Sequence, residues 1–103
     1  MRSDPIEITV TEVDIICGKR EDCCECPWAL ATKRAFPAAS EVNVDYGTIS
    51  FYHGDQVFMA DTPEKVLDWM DDYDTDRRPV KPTSASLVFE ILDRAAEDER
   101  EGQ

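Results

Sequence analysis

The stretch Glu41–Asp61, EVNVDYGTISFYHGDQVFMAD, decides the fold. Val42, Val44 and Tyr46 alternate with Asn43 and Asp45, the two-residue period of a half-buried strand. Ile49 and Phe51 alternate as well, but on odd positions rather than even ones. A slip of one residue within a strand turns every later side chain to the opposite face. Gly47 therefore marks a bulge or a turn. Further on, His53-Gly54-Asp55-Gln56 has the residues of a tight hairpin, with Gly54 and Asp55 at its centre. Val57 and Met59 continue on its other side. The whole stretch reads as antiparallel β structure.

Helices lie on both sides of it. In CPWALATKRAF (26–36), Pro27 suits the first helical position, where its missing N–H costs nothing. Trp28, Ala31, Thr32 and Ala35 share one face, with Leu30 beside it, and small alanines allow close packing on a sheet. Lys33 and Arg34 fall in the last turn, where the helix dipole favours cations. In DTPEKVLDWMDDYD (61–74), Thr62 is the expected cap, Pro63 the first helical residue and Glu64 the acid at the positive end. Val66, Leu67, Met70 and Tyr73 form an apolar stripe, and Asp68, Asp71 and Asp72 fall on the other side.

Toward the ends the pattern continues. Residues 1–5 are expected to be loose, and IEITV (6–10) is a β-branched strand. In TEVDIICG (11–18), Thr11 can cap a short helix, with Glu12 and Asp14 in its first turn and a left-handed Gly18 at its end. The competing reading extends the strand through Ile15 and Ile16. SASLVFEI (84–91) alternates Leu87, Phe89 and Ile91 against Ser86, Val88 and Glu90, so it reads as a strand; a helix from Ser86 also matches. DRAAEDEREGQ (93–103) reads as an acidic tail, a frayed helix or disordered. Residues 1–92 then make one α+β domain, a reasonable size for 103 residues. The expected architecture is a mostly antiparallel sheet of about three to five strands with two main helices on one face. A ferredoxin-like β-α-β-β-α-β order fits the count.

Charge is the loudest bulk property. Twenty-three Asp and Glu face eleven Lys and Arg, a formal net charge of −12. A field of that sign repels phosphate backbones, which disfavours direct nucleic-acid binding. The acidity has three readings: solubility, a salt-adapted proteome, or a surface that docks on a basic protein or imitates nucleic acid. No apolar run approaches the ~18 residues of a membrane span. MRSDPIEITV lacks the apolar core of a signal peptide, so a cytoplasmic location is expected.

All four cysteines lie between positions 17 and 26. Such density suggests tetrahedral zinc, with Cys17, Cys23, Cys26 and His53 as the candidate ligand set. Only one C-x-x-C pair is present, however, and Cys24 beside Cys23 does not easily join the same ion. A redox reading places Cys26 at a helix N-terminus, where the dipole and free N–H groups favour a thiolate. The structural reading is that Cys17 ends an apolar run and Cys26 tucks beneath the helix it precedes, since cysteine packs as a small hydrophobe. His53, the only histidine, sits at the expected hairpin tip. The acidic segments lack the Gly and closing Glu of an EF-hand loop, no phosphate-cradling Gly-rich loop occurs, and no catalytic set is apparent.

GKREDCCECPWALA (18–31) resembles a group of small viral and prophage proteins of actinobacteria and archaea. Gly18, Asp22, Cys23, Cys26, Pro27, Ala29, Leu30 and Ala31 match the group's first motif. Pro63, Glu64 and Trp69 match its helix, and Val80 and Pro82 its last strand. The resemblance implies a viral or mobile-element context and carries no catalytic residue over. Cys17 and Cys24 fall outside its pattern.

These features point first to a small acidic, non-enzymatic binding or regulatory protein, virus- or mobile-element-encoded. Its partner is expected to be a host or viral protein with a basic surface, itself able to bind nucleic acid. Asp68, Asp71, Asp72, Asp74 and Asp76 are the candidate partner-binding acids. The alternative is a zinc-binding or thiol-redox module centred on Cys23 and Cys26, with zinc as the one cofactor in view.

Overall fold

A computed structural model describes residues 1–76 and 79–93; the acidic tail, from 94 onward, lies outside the described residues. Strand β1 (Ile6–Val10) leads into helix α1 (Glu12–Cys17), and α2 (Pro27–Ala35) follows. Strands β2 (Ser40–Val44), β3 (Thr48–His53) and β4 (Gln56–Asp61) form a meander, followed by α3 (Glu64–Thr75), β5 (Thr83–Leu87) and β6 (Glu90–Asp93). The fold is α+β with antiparallel pairing throughout the described strands. The element order contains the β-α-β-β-α-β outline, but the strands divide between two sheets, β1-β5 and β2-β3-β4-β6.

The parity slip at Gly47 has a simple origin. Val44 faces Ile49 and Asn43 faces Ser50 across a hairpin whose turn holds Tyr46 and Gly47. A two-residue turn pairs even positions with odd ones, so both apolar sets reach one face. Asp45 closes the turn: its N–H donates to Thr48 O at 3.0 Å, and its Oδ1 accepts the Gly47 and Thr48 N–H groups at 2.7 Å. The bulge lies elsewhere, between Ser40 and Asn43, where Glu41 takes φ 53°. The next hairpin pairs Phe51 with Phe58 and His53 with Gln56. Its Gly54 sits at φ +60° in open space, so backbone conformation rather than crowding calls for glycine.

One core joins the layers. Val42, Val44, Ile49, Phe51 and Ala60 meet Ile8, Val10, Trp28, Val66 and Met70. Trp28 of α2 and Trp69 of α3 pack edge to face at 5.9 Å. The buried Trp28 indole N–H has no hydrogen-bond acceptor among the described residues, while Trp69 donates to Lys81 O at 2.9 Å. Phe36, Phe51, Phe58 and Phe89 form an aromatic cluster with centroid separations of 4.7 to 6.0 Å.

Four local expectations need correction. The stretch 84–91 is two strands, because the chain leaves the β1 sheet at Val88-Phe89 and joins β4. Residues 1–3 are not loose: Met1 and Ile91 exchange backbone hydrogen bonds, Arg2 bridges Glu90, and Ser3 N–H donates to Phe89 O at 2.8 Å. The N-cap of α3 is Pro63. Thr62, just before it, is occupied by the β2–β3 turn, its hydroxyl donating to Asp45 O at 2.9 Å and its N–H to Gly47 O at 3.1 Å. Finally, Gly18 ends α1 in an extended conformation at φ −71°. Glycine is needed there for room, since a Cβ would meet Asp14 O and Pro27 Cδ at 2.7 Å.

Candidate functional site

Helix α1 is built inside out. Its cap works as the sequence suggests: Thr11 Oγ1 accepts the Asp14 N–H at 3.3 Å, and Asp14 Oδ2 accepts the Thr11 N–H at 2.8 Å. That bond turns Asp14 inward, where it is 3% exposed. Arg34, on the next helix, α2, meets it with both arms at 2.8 and 2.6 Å and also donates to Thr9 O. Burial alone would raise the Asp14 pKa, but the Arg34 guanidinium and the Thr11 groups outweigh it and hold the carboxyl below its ordinary value.

With the acid inside, the apolar residues face out. Val13 and Ile16 are 65% and 75% exposed, and Cys17 is exposed too. Their spacing of three and four places them on one helical face. Beside this face runs a groove of about 620 Å³, lined by Ile15, Ile16, Tyr73, Pro79 and Val80 with charged residues at its margin. The cations there are already matched: Lys19 to Glu25 at 2.7 Å and Arg20 to Asp76 at 3.2 Å. Arg20 also donates to Tyr73 O and lies over the Tyr73 ring. Glu12 and Asp72 pair with no cation among the described residues. Tyr73 donates its hydroxyl proton toward Gly18 O at 2.9 Å and Ile15 O at 3.1 Å, fixing α1 against α3.

The other expected acids divide by role. Asp68 is exposed, and Asp71 and Asp72 are half-buried. Asp74 holds the structure together, accepting Glu21 N–H at 3.0 Å and Tyr46 O–H at 2.8 Å. Asp76 ends α3 in a left-handed conformation and pairs with Arg20. The hydrogen bond to Asp74 pushes the Tyr46 pKa up to about 12. A group whose folded pKa is raised stabilises the fold fully below its unfolded pKa and loses that contribution as pH rises through the folded value. Tyrosinate absorbance should therefore show Tyr46 ionising near pH 12, with stability lost between about 10 and about 12. Asp74→Asn should return it toward the ordinary range. An unshifted Tyr46 in the wild type would contradict the bond.

The cysteines do not assemble as the zinc expectation has them. Cys17 sits on the outer face of α1, His53 ends β3 beside the Phe58 ring at 5.8 Å, and Cys26 is buried as the N-cap of α2. Among the described residues, the one group of three donor side chains within 4.8 Å of one another is Asp22, Cys23 and Cys24. A turn brings the Cys24 Sγ to 2.9 Å from Cys23 Sγ. Burial pushes the Cys26 thiol pKa up, against the smaller opposing effect of the Ala29 and Trp28 N–H groups. Cys17 is not packed, because α1 turns it to solvent.

No protein-family model, curated protein or solved structure matches the chain. No helix of the described residues is long and apolar enough to cross a membrane.

Proposed function

We propose that this chain is a small acidic binding protein whose docking surface is the outward face of α1 and the groove beside it. The observation that carries this reading is the inversion of α1, which buries Asp14 and exposes Val13 and Ile16. An exposed apolar stripe outside the core costs solubility, which supports a partner that covers it. The partner's chemistry follows from the surroundings. Among the described residues the groove's cations, Lys19 and Arg20, pair with the chain's own acids, Asp72 lines the groove with no cation partner, Glu12 stands nearby on α1, and the whole chain carries −12. The fitting occupant is an amphipathic protein segment with an apolar face and Lys or Arg along its flank. The acids of α3 contribute through Asp68 and Asp72, while Asp74 and Asp76 keep the surface in shape. The reducing cytoplasm suits a chain with four free thiols. The resemblance at residues 18–31 supports a viral or mobile-element role against a host or viral protein, including one that binds nucleic acid.

A synthetic amphipathic peptide of Leu and Lys, compared with one of Leu and Glu, tests the surface. Fluorescence anisotropy should show binding of the Lys peptide alone, weakening as salt rises toward the range where the Debye length falls to about 3 Å. Ile16→Asp should weaken it at least about tenfold, the loss of one central apolar anchor, without lowering thermal stability. Equal affinity in low and high salt, or an unaffected Ile16→Asp variant, overturns the proposal.

A further inference from the structure

The loop between α1 and α2 brings two thiols and a carboxylate together on a backbone that is already tied down. Asp22 Oδ1 accepts the N–H groups of Cys24 at 2.8 Å and Glu25 at 2.9 Å. Cys23 O accepts the Val44 N–H at 2.7 Å, Cys24 O the Lys33 ammonium at 2.6 Å, and Glu25 O the Lys19 N–H at 2.9 Å. Just before them Glu21 takes φ 55° and donates its N–H to Asp74. A left-handed residue with a β-carbon is strained, so this turn is held by its hydrogen bonds rather than relaxed. Both sulfurs are exposed, 2.9 Å apart, and a carboxylate oxygen of Asp22 completes a donor set within 4.8 Å.

We propose that Cys23, Cys24 and Asp22 chelate a thiophilic divalent cation of the zinc and cadmium class. Thiolate sulfur selects such ions over magnesium and calcium, which take oxygen ligands. Two thiolates and one carboxylate supply three ligands of a tetrahedral site, and water supplies the fourth. Both thiols lose their protons on binding, so two protons are released for each ion bound. Two thiolates at ~2.3 Å from a tetrahedral ion stand about 3.8 Å apart. The sulfurs must open by roughly 1 Å from their present separation, which side-chain rotation provides without moving the anchored backbone. Lys19 and Lys33 act on the Asp22 carboxylate and offset part of the negative charge that the ligands gather. The site differs from a Cys23-x-x-Cys26 clip, because Cys26 is buried under α2.

Cadmium chloride is the direct probe, titrated into full-length protein whose thiols are shown by mass spectrometry to be reduced. The expected result is one ion per chain, with a thiolate-to-cadmium absorption band in the ultraviolet. Cys23→Ser and Cys24→Ser should each abolish the band. Asp22→Asn, which can still accept the two N–H bonds, should keep the band and weaken binding about tenfold. Cys17→Ser and Cys26→Ala should leave it intact. Circular dichroism of each variant separates ligand loss from unfolding. The proposal is overturned by a reduced chain that gives no band, or by a folded set in which Cys26→Ala abolishes the band and Cys24→Ser does not.

Discussion

Phe89→Ala should cost about 3–5 kcal/mol, the usual range for emptying a buried aromatic site. Phe89 is fully buried between β5 and β6, where the chain passes from one sheet to the other. Its ring meets Phe36, Phe51 and Phe58 at 5.8, 5.4 and 6.0 Å. Its backbone is tied to the N-terminal segment, with its N–H donating to Ser3 Oγ at 2.9 Å and its carbonyl accepting the Ser3 N–H. The substitution removes the packing that holds the two sheets in register. Domains of this size are stable by about 5–15 kcal/mol, so the loss is a large fraction of the total. Urea unfolding should show a lower midpoint with an unchanged slope. Phe89→Leu, which keeps most of the volume, should cost under about 1.5 kcal/mol. Equal stability of Phe89→Ala and wild type would contradict the packing described.

Breaking the Asp14–Arg34 pair should be the second large effect. Arg34→Ala leaves a carboxylate that is 3% exposed with only the Thr11 N–H as partner. Arg34 is half exposed, so the expected cost is about 2–3 kcal/mol rather than the full price of a wholly buried pair. Arg34→Lys should recover only part of it, since an ammonium cannot span both oxygens. The pH dependence has a definite sign. The Asp14 folded pKa lies below its ordinary value, so its contribution is complete above the ordinary carboxylate range and disappears as pH falls through the folded pKa. Stability curves of wild type and Arg34→Ala should therefore separate near neutrality and converge in acid. Parallel curves down to low pH would show that the pair contributes nothing through ionisation.

Much of the meander was legible because a two-residue turn leaves a parity slip, and Gly47 marked the place. The start of α2 was legible because Pro27 serves only a few backbone positions well. Helix α1 was legible in extent and opaque in orientation. Val13, Ile16 and Cys17 share the spacing of a buried stripe, and Asp14 looks like a solvated acid. Arg34, twenty positions away, draws Asp14 inward and leaves Val13 and Ile16 outside, and no local pattern carries that contact. The thiol pair was hidden for a related reason. Adjacent residues point apart on a strand or helix, but the turn closed by Asp22 swings the Cys23 and Cys24 sulfurs together. The division of β5 from β6 was masked by an unbroken alternation through Leu87 and Phe89, both buried although Phe89 lies in the link between the strands.

The most direct test of the docking surface is a residue-resolved NMR titration with the Leu/Lys peptide. Shifts concentrated at Val13, Ile16, Cys17 and Val80, and lost in Ile16→Asp, are the predicted outcome. Shifts confined to the outer face of the larger sheet, at Tyr52, Val57 and Met59, would contradict it.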